Sequence, residues 1–245
     1  MPGIGGIGTG SSFTENLTAL ARYQVNLRTI HKIKNPDTSI ELFGHKLALP
    51  VLAAPITGME TNLAGGMDEK EYANAILDGC LECGTLGMVG DGASPKKYLI
   101  GLEAIKNHGG LGIPIFKPRE FNLDIIKRFK AAEDAGALAV GVDIDAASFK
   151  TMSLKGQAVG PKTIDELQEL KTYLKVPFIL KGIMNAYGCD FELLVNVNKK
   201  NPIDSEMLSR AEIKRRDAFG PSYLSFEKIK TSFFKFFIHF KIRFS

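Results

Sequence analysis

The stretch "VPFILKG" (residues 176–182) carries the clearest secondary-structure signal in the chain. Three apolar residues, Phe178 to Leu180, run without polar alternation and are followed by a lysine and a glycine. Strands that are covered on both faces in a parallel sheet have this composition. The stretch therefore predicts a buried strand with Lys181 at its carboxyl end.

Four similar apolar runs precede this one and alternate with helical patterns. The runs are "LPVLAAP" (49–55), "GTLGMVG" (84–90), "GIPIFK" (112–117) and "ALAVGVDID" (137–145), and the helical patterns cover residues 68–83, 94–108, 122–136 and 163–175. We expect Asn122 and Thr163 to be N-caps and Gly136 to end its helix. Five strand-then-helix units predict an α/β fold, either a (β/α) barrel or a doubly wound sheet.

A different pattern stands before the first of these strands. "TSIELFGHKLALP" (38–50) has a strand-turn-strand character around Phe43-Gly44. Gly at a tight turn between two apolar runs is typical of a hairpin. We expect this hairpin to close the bottom of a barrel.

Composition indicates a globular chain, since 44% of the 245 residues are apolar and 24% are charged. No apolar run reaches the length of a membrane span, and the residues from Met1 to Ile4 lack the features of a signal peptide. We therefore expect a cytoplasmic location. The three cysteines, Cys80, Cys83 and Cys189, are too few for a disulfide framework or a zinc site. We expect no metal, and we expect Cys80 and Cys83 to act as small core residues.

The sequence changes character after Met184. Residues 1–184 contain 20 basic and 20 acidic residues, whereas residues 185–245 contain 11 and 7. The second segment also holds 9 of the 16 phenylalanines and only 2 of the 25 glycines. We interpret residues 185–245 as a non-family tail from a frameshift or a fusion. A paired strand or a membrane-surface segment at "SFFKFFIHFKIRFS" (232–245) remains an alternative.

Charged residues at the strand ends are the candidates for chemistry, because barrel enzymes place their catalytic groups there. The strand-end candidates are Pro55 to Met59, Gly87 to Gly90, Phe116 and Lys117, Asp143 and Asp145, and Lys181. A lysine at the end of a buried strand is suited to stabilising an anion or a developing negative charge. Asp143 is its expected partner, or it orients another group. A solvated lysine is the alternative, and these residues alone specify no reaction.

Three segments resemble the FMN-dependent 2-hydroxy-acid oxidases and dehydrogenases, the group that contains glycolate oxidase and lactate oxidase. They are "ELFGHKLALPVLAAPITGM" (41–59), "GVDID" (141–145) and "IDELQELKTYLKVPFILKGIM" (164–184). The resemblance covers about residues 11–184 and implies a partial (β/α)8 TIM barrel of about five units. Residues 1–184 would then form an incomplete FMN-dependent dehydrogenase domain.

The resemblance implies roles for individual residues. Ala54, Pro55, Ile56 and Thr57 would lie against or near the isoalloxazine ring of FMN, and Gly87 would make a second strand-end contact. Lys181 would both contact the flavin and stabilise the negative charge that builds on it during hydride transfer. Asp143 would orient the catalytic histidine.

Some of the family's residues have no counterpart in this sequence. The family's flavin-facing glutamine and its substrate-facing tyrosine on the third strand are replaced by Pro114 and Phe116. The Ser-Asn-His-Gly-Gly-Arg segment, which carries the general base, is missing after Met184. Similar letters at 106–110 include His108, but they follow a helix and precede a strand, so we place His108 on the opposite face of the barrel.

Two classes of function follow. The first is an FMN-dependent oxidoreductase that converts a small 2-hydroxy acid to a 2-oxo acid, as an impaired or incomplete copy. The second is a non-catalytic chain whose open barrel edge associates with another polypeptide, either a second copy or a complementary chain. A protein like the FMN-dependent isopentenyl diphosphate isomerases is a further alternative. No nucleic-acid partner is expected, because the chain lacks a domain-scale basic surface.

Overall fold

A computed structural model describes residues 9–24, 29–62, 65–94 and 96–183. The expected tail at 185–245 lies outside these ranges. In chain order the elements are α1 (Ser11–Ala21), β1 (Ile40–Leu42), β2 (His45–Leu47), β3 (Leu52–Ala53), α2 (Met59–Asn62), α3 (Glu69–Glu82), β4 (Leu86–Gly90), α4 (Lys97–Asn107), β5 (Gly112–Phe116), α5 (Asn122–Asp134), β6 (Val140–Asp143), a 3₁₀ helix (Ile144–Ser148), α6 (Lys150–Leu154), α7 (Ile164–Thr172) and β7 (Phe178–Lys181). None of the helices in this part of the chain has the length and hydrophobicity needed to span a bilayer.

The main sheet has five parallel strands in the order β3-β4-β5-β6-β7. Each strand pairs with its neighbour in the sequence, and the described strands show no reversal of order. Doubly wound sheets reverse their strand order at a switch point, whereas barrels do not. The prediction of a partial barrel with five strand units is therefore confirmed.

Helices cover one face of this sheet and a smaller apolar cluster covers the other. Val89, Phe116 and Val142 point toward the helices and belong to the larger core. Ile113 and Ile115 belong to a second cluster with Met88 and Ala139 on the opposite face. Side chains alternate between faces along a strand, so these two clusters identify which residues point toward the barrel interior.

The hairpin of β1 and β2 packs against the amino end of the sheet, as predicted. Phe43 and Gly44 form its turn with φ values of 51° and 77°, and this left-handed conformation suits a two-residue hairpin loop. Leu42 and Leu47 from the hairpin form an apolar cluster with Leu86 at the start of β4. The amino end of the sheet is thus closed by apolar side chains.

The helix ends confirm two of the three expected caps. Thr163 forms a capping box with Glu166, and Gly136 follows α5 with a φ of 78°. The N-cap prediction for Asn122 is wrong, because Asn122 is already helical and its side chain reaches α7. Its amide donates to the main-chain oxygen of Glu166 at 3.0 Å and to the carboxylate of Glu169 at 2.6 Å.

The two cysteines of α3 and its C-cap differ in environment. Cys80 is buried, as expected for a small core residue, but Cys83 is exposed. The expectation that both would face inward is wrong for Cys83, because this residue follows the last turn of α3 and is its C-cap.

Candidate active site

Strand register places three charged residues side by side at the carboxyl end of the sheet. Asp143 and Lys181 are register partners in the pairing of β6 with β7. Phe116 pairs with Val142 between β5 and β6, so the next residue, Lys117, lies level with Asp143. The sheet itself therefore brings the two lysines to either side of one aspartate.

Asp143 accepts a hydrogen bond from each lysine. Lys181 Nζ lies 2.6 Å from Oδ1, and Lys117 Nζ lies 2.6 Å from Oδ2. The side chains of Asp143 and Lys181 are 6% and 5% exposed, whereas that of Lys117 is 20% exposed. Charged groups are this deeply buried only when they are paired, because an isolated buried charge loses its hydration.

A second carboxyl group joins this cluster. Asp145 is solvent-exposed as a residue, but its carboxyl group lies against Gly182 and hydrogen-bonds to Asp143. Burial of that carboxyl, the hydrogen bond and the charge of Asp143 raise the pKa of Asp145 to about 7. Burial also opposes ionisation of Asp143, but the charges of Lys117 and Lys181 outweigh it and hold the pKa of Asp143 far below its usual range. Asp143 is therefore ionised, and Asp145 is the proton donor between the two.

The contact between Asp145 and β7 requires a glycine. Gly182 has a φ of 94°, and a Cβ built on it would lie 2.7 Å from the carboxyl carbon of Asp145. Glycine is the residue that tolerates both this conformation and this approach. The "KG" that ends the last apolar run thus supplies the lysine and the space for the neighbouring carboxyl group.

Lys117 is also fixed through its main chain. Its N–H donates to Asp91 Oδ2 at 3.2 Å, and the same oxygen accepts from Arg119 at 2.6 Å. Asp91 and Arg119 are each 2% exposed. Sequence reasoning grouped Lys117 with the strand-end residues without giving it a role, and it did not identify Asp91 or Arg119. Their positions after β4 and β5 are the signal that points to them.

The segment from Ala54 to Thr57 forms the loop after β3. Ile56 is 48% exposed, an unusual position for a large apolar residue. The Glu69 carboxylate fixes the end of this loop by accepting from the N–H groups of Gly58 at 2.9 Å and Met59 at 3.2 Å. Thr57 donates to the main-chain oxygen of Asp91 at 3.3 Å, which joins the loop to the segment that holds Lys117.

Gly87, a predicted site residue, does not lie at this end of the sheet. It is the second residue of β4 and pairs with Ala53 and Gly112. A Cβ on Gly87 would lie 2.9 Å from Leu77 of α3, so the position faces the helices. The β4 residue at the carboxyl end is Gly90, which packs against Thr57.

Phe116 also faces away from the site. Its ring contacts those of Tyr98 at 6.0 Å and Phe129 at 6.1 Å between centroids, within the core beneath the helices. The assignment of Pro114 and Phe116 to inward-facing positions is therefore wrong by one residue. Ile115 and Lys117 belong to the inward-facing set, since strand side chains alternate.

His108 lies at the opposite end of the fold, as expected from its place between α4 and β5. It is the C-cap of α4. Nδ1 lies 2.7 Å from the main-chain oxygen of Ala104, and Nε2 lies 2.9 Å from the carboxylate of Asp78. These contacts explain His108 as a residue that fixes a helix end.

Comparison with known proteins supports the interpretation of the fold. A sequence model of the FMN-dependent dehydrogenases matches residues 4–165. The isopentenyl-diphosphate delta-isomerase of Archaeoglobus fulgidus is 25% identical over 205 residues, which are 79% of this chain and 52% of that protein. The L-lactate oxidase of Lactobacillus jensenii is 23% identical over 207 residues, with coverage of 71% and 48%. The chain thus spans about half the length of the curated relatives that it matches.

Solved structures share the architecture at low sequence identity. A mandelate oxidase superposes with a TM-score of 0.63 at 22% identity, over 79% of this chain and 60% of that one. A lactate oxidase of Pediococcus acidilactici superposes with a TM-score of 0.61 at 18% identity, over 79% and 58%. These likenesses establish the fold, while the match over residues 4–165 establishes the family. The chain belongs to the FMN-dependent dehydrogenase family.

Proposed function

We propose that this chain carries the flavin-facing part of an enzyme that oxidises a small 2-hydroxy acid to a 2-oxo acid. The observation that carries the proposal is the buried pair of Lys181 and Asp143 at the carboxyl end of the sheet. A buried ammonium at this end of a barrel is suited to stabilising negative charge that develops during a reaction. Family membership supplies the reaction class, and FMN is the cofactor that the family implies.

The residues present fit the ring end of FMN. Ala54, Pro55, Ile56 and Thr57 form a fixed loop, and the 48% exposure of Ile56 leaves apolar surface that a planar ring would cover. Lys181 ends β7 at the same end of the sheet. We assign no phosphate-binding group among the residues that the structure describes. We also leave Gly87 out of this proposed site, because it faces α3.

FMN, when bound, supplies the hydride acceptor. In our proposal Lys181 places a positive charge where the flavin becomes negative. Asp143 holds Lys181 in position by accepting a hydrogen bond from its ammonium group at 2.6 Å. The family resemblance gives Asp143 the further role of orienting a histidine. In the described structure both of its carboxylate oxygens accept from lysines, so we propose that it organises the two ammonium groups.

Flavin uptake and reduction test the proposal. The purified full chain is mixed with FMN and freed of excess cofactor, and its visible spectrum is recorded. Anaerobic addition of glycolate, L-lactate or mandelate is expected to bleach the flavin bands slowly, because the segment that carries the family's general base is missing after Met184. Lys181→Met is expected to slow bleaching by about 10²-fold or more, the typical effect of removing one electrostatic stabiliser. A chain that binds no FMN, or binds it and is reduced by none of these acids, would contradict the proposal.

A second candidate is isomerisation of isopentenyl diphosphate. It is favoured by the 25% identity to the Archaeoglobus fulgidus isomerase. The sequence "KG" at Lys181-Gly182, where those isomerases have a lysine followed by an acid, speaks against it. Incubation of the FMN-loaded chain with isopentenyl diphosphate and a reductant, followed by product analysis, separates this reaction from 2-hydroxy-acid oxidation.

A third candidate is a non-catalytic chain that associates through the open edge of its sheet. β7 is the last strand that the structure describes, and among the described strands it pairs only with β6. The second edge of β7 favours this candidate. Unpaired strand edges are surfaces for association with another chain. Sedimentation of the purified chain, alone and after co-expression with other barrel fragments of the family, distinguishes a monomer from an assembly with itself or with a complement.

Two further parts of the proposal concern the whole chain. We propose that residues 185–245 are a non-family tail, on the basis of their composition. Translation of the coding DNA beyond codon 184 in the other two frames is expected to recover Ser-Asn-His-Gly-Gly, and its absence there would contradict a frameshift.

We also propose a cytoplasmic location, which cell fractionation tests.

A further inference from the structure

We propose that Lys117 binds the carboxylate of the anionic substrate and is a specificity-determining residue of the site. This inference rests on the function proposed above. It starts from the geometry of one carboxyl group, Asp143, shared between two ammonium groups that differ in their access to solvent.

The cluster has a net positive charge that can attract a small anion. Lys117 and Lys181 contribute two positive charges, and Asp143 contributes one negative charge. Asp145 hydrogen-bonds to Asp143 and adds no charge while it is protonated. The cluster then carries one excess positive charge next to a buried strand end, where a small anion is attracted more strongly than in water.

Exposure indicates which lysine meets the anion. The Lys181 side chain is 5% exposed, whereas that of Lys117 is 20% exposed. An ammonium group has three N–H donors, and the contact with Asp143 uses one of those on Lys117. Lys117 therefore has donors left for a carboxylate that approaches from solvent, and Lys181 is the less accessible of the two lysines.

Lys117 is held in place before any ligand arrives. Its main-chain N–H is bound by Asp91, which is itself bound by the buried Arg119. Its ammonium lies 5.4 Å from the centroid of the Phe149 ring. A side chain fixed in this way loses less conformational entropy on binding than a free surface lysine.

Asp145 makes the anion site sensitive to pH. The groups that face its carboxyl are Asp143, Lys117 and Lys181, together with the main chain at Gly182. The pKa of Asp145 is raised to about 7 by burial of the carboxyl and by its hydrogen bond to Asp143. Above that pH the second carboxylate cancels the excess positive charge, so affinity for an anion falls as pH rises from 6 to 8.

Calorimetric binding of oxalate to the full chain, loaded with FMN where it binds, tests the inference. Lys117→Met is expected to weaken oxalate binding by about 10- to 100-fold, in line with loss of a charge-assisted hydrogen bond. Lys117→Arg retains the charge and is expected to bind within a few-fold of wild type. The exposed Lys150→Met, the same change on α6, is the matched control and is expected to bind oxalate like wild type. The neutral analogue lactamide is expected to show no dependence on Lys117.

The pH series needs no substitution and therefore tests the inference even where Lys117→Met does not fold. Wild-type affinity for oxalate is expected to fall from pH 6 to pH 8, and Asp145→Asn is expected to flatten this change. Equal oxalate affinity in wild type and Lys117→Met, or no oxalate binding by wild type, overturns the inference. If hydroxy acids bleach the flavin but oxalate affinity is the same in wild type and Lys117→Met, the inference fails and the proposed function stands. If no FMN binds but oxalate affinity depends on Lys117, the proposed function fails, while Lys117 is still shown to bind a carboxylate anion.

Discussion

The two ends of the parallel sheet are built from opposite kinds of residue. At the amino end, Leu42 and Leu47 of the hairpin pack on Leu86 and exclude water. At the carboxyl end, Asp143 and Lys181 are buried as ions. Leucine packing stabilises a fold with little dependence on pH, whereas a buried ion pair loses its contribution when one partner is removed or changes its charge. One end of the molecule is thus organised for stability and the other for electrostatics.

Replacing Asp143, the carboxylate that the two lysines share, should cause the largest loss of stability. Asp143→Asn leaves Lys117 and Lys181 without their shared counterion, and loss of one partner of a buried pair costs about 3–5 kcal/mol. We expect urea unfolding to show a loss of this size. Asp134→Asn, an exposed change at the end of α5, should alter the free energy of unfolding by less than about 0.5 kcal/mol. Equal midpoints for the two variants would mean that the pair is not buried as an ion pair.

Shortening a leucine side chain at the amino end of the sheet should destabilise the fold without changing anion binding at the carboxyl end. Leu47 is 3% exposed, and Leu47→Ala removes buried surface and leaves a cavity worth about 2–3 kcal/mol. We expect a lower urea midpoint with an unchanged pH dependence of oxalate binding. A change in that pH dependence would show that the two ends are coupled.

Asp145 should give the charged end a distinct pH signature. Its pKa is raised to about 7, so the folded state binds more protons than the unfolded state between about pH 4 and pH 7. The free energy of unfolding should therefore fall as pH rises through this window. Asp145→Asn should remove that slope in urea midpoints measured at pH 5 and pH 8. A slope that persists unchanged in Asp145→Asn would assign it to another group.

The smallest effect is expected from the histidine at the amino end. The hydrogen bond to Ala104 and the neighbouring Asp78 raise the pKa of His108, although burial opposes this. A raised pKa means that protonated His108 stabilises the fold below its unfolded pKa, near 6.5, and that this contribution disappears as pH rises through the folded pKa. His108→Gln should lower the urea midpoint slightly at pH 5.5 and less at pH 8.5. A loss that is larger at the higher pH would contradict this sign.

The sequence was sufficient to predict the strands and Lys181 because both are local features. An apolar run without alternation identifies a buried strand, and the residue after it lies at the strand end whatever its neighbours are. The contact of Lys117 with Asp143 is not local, since it depends on the register between β5 and β6. A shift of one residue in the inferred inward-facing positions placed Phe116 at the substrate-facing position and left Lys117, a strand-end candidate, without a role.

Gly87 and Asn122 show the same limit at other points of the fold. Gly87 lies in an apolar run whose composition does not reveal where the strand begins, and the structure places it near the start of β4. Asn122 has the composition of an N-cap, but tertiary contacts with Glu166 and Glu169 determine its role. Local propensity identified the element in both cases, and packing decided the function of the residue.

Gly182 also affects the net charge at the carboxyl end of the sheet. The space left by its missing side chain is filled by the carboxyl group of Asp145, with a would-be Cβ 2.7 Å from that group. An alanine at this position would push the carboxyl away from Asp143 and return it to ordinary acidity. The net charge at the carboxyl end of the sheet would then change at neutral pH, although no ionisable residue had been replaced. During divergence of the family, a substitution that adds one methyl group could thus retune the electrostatics of the site.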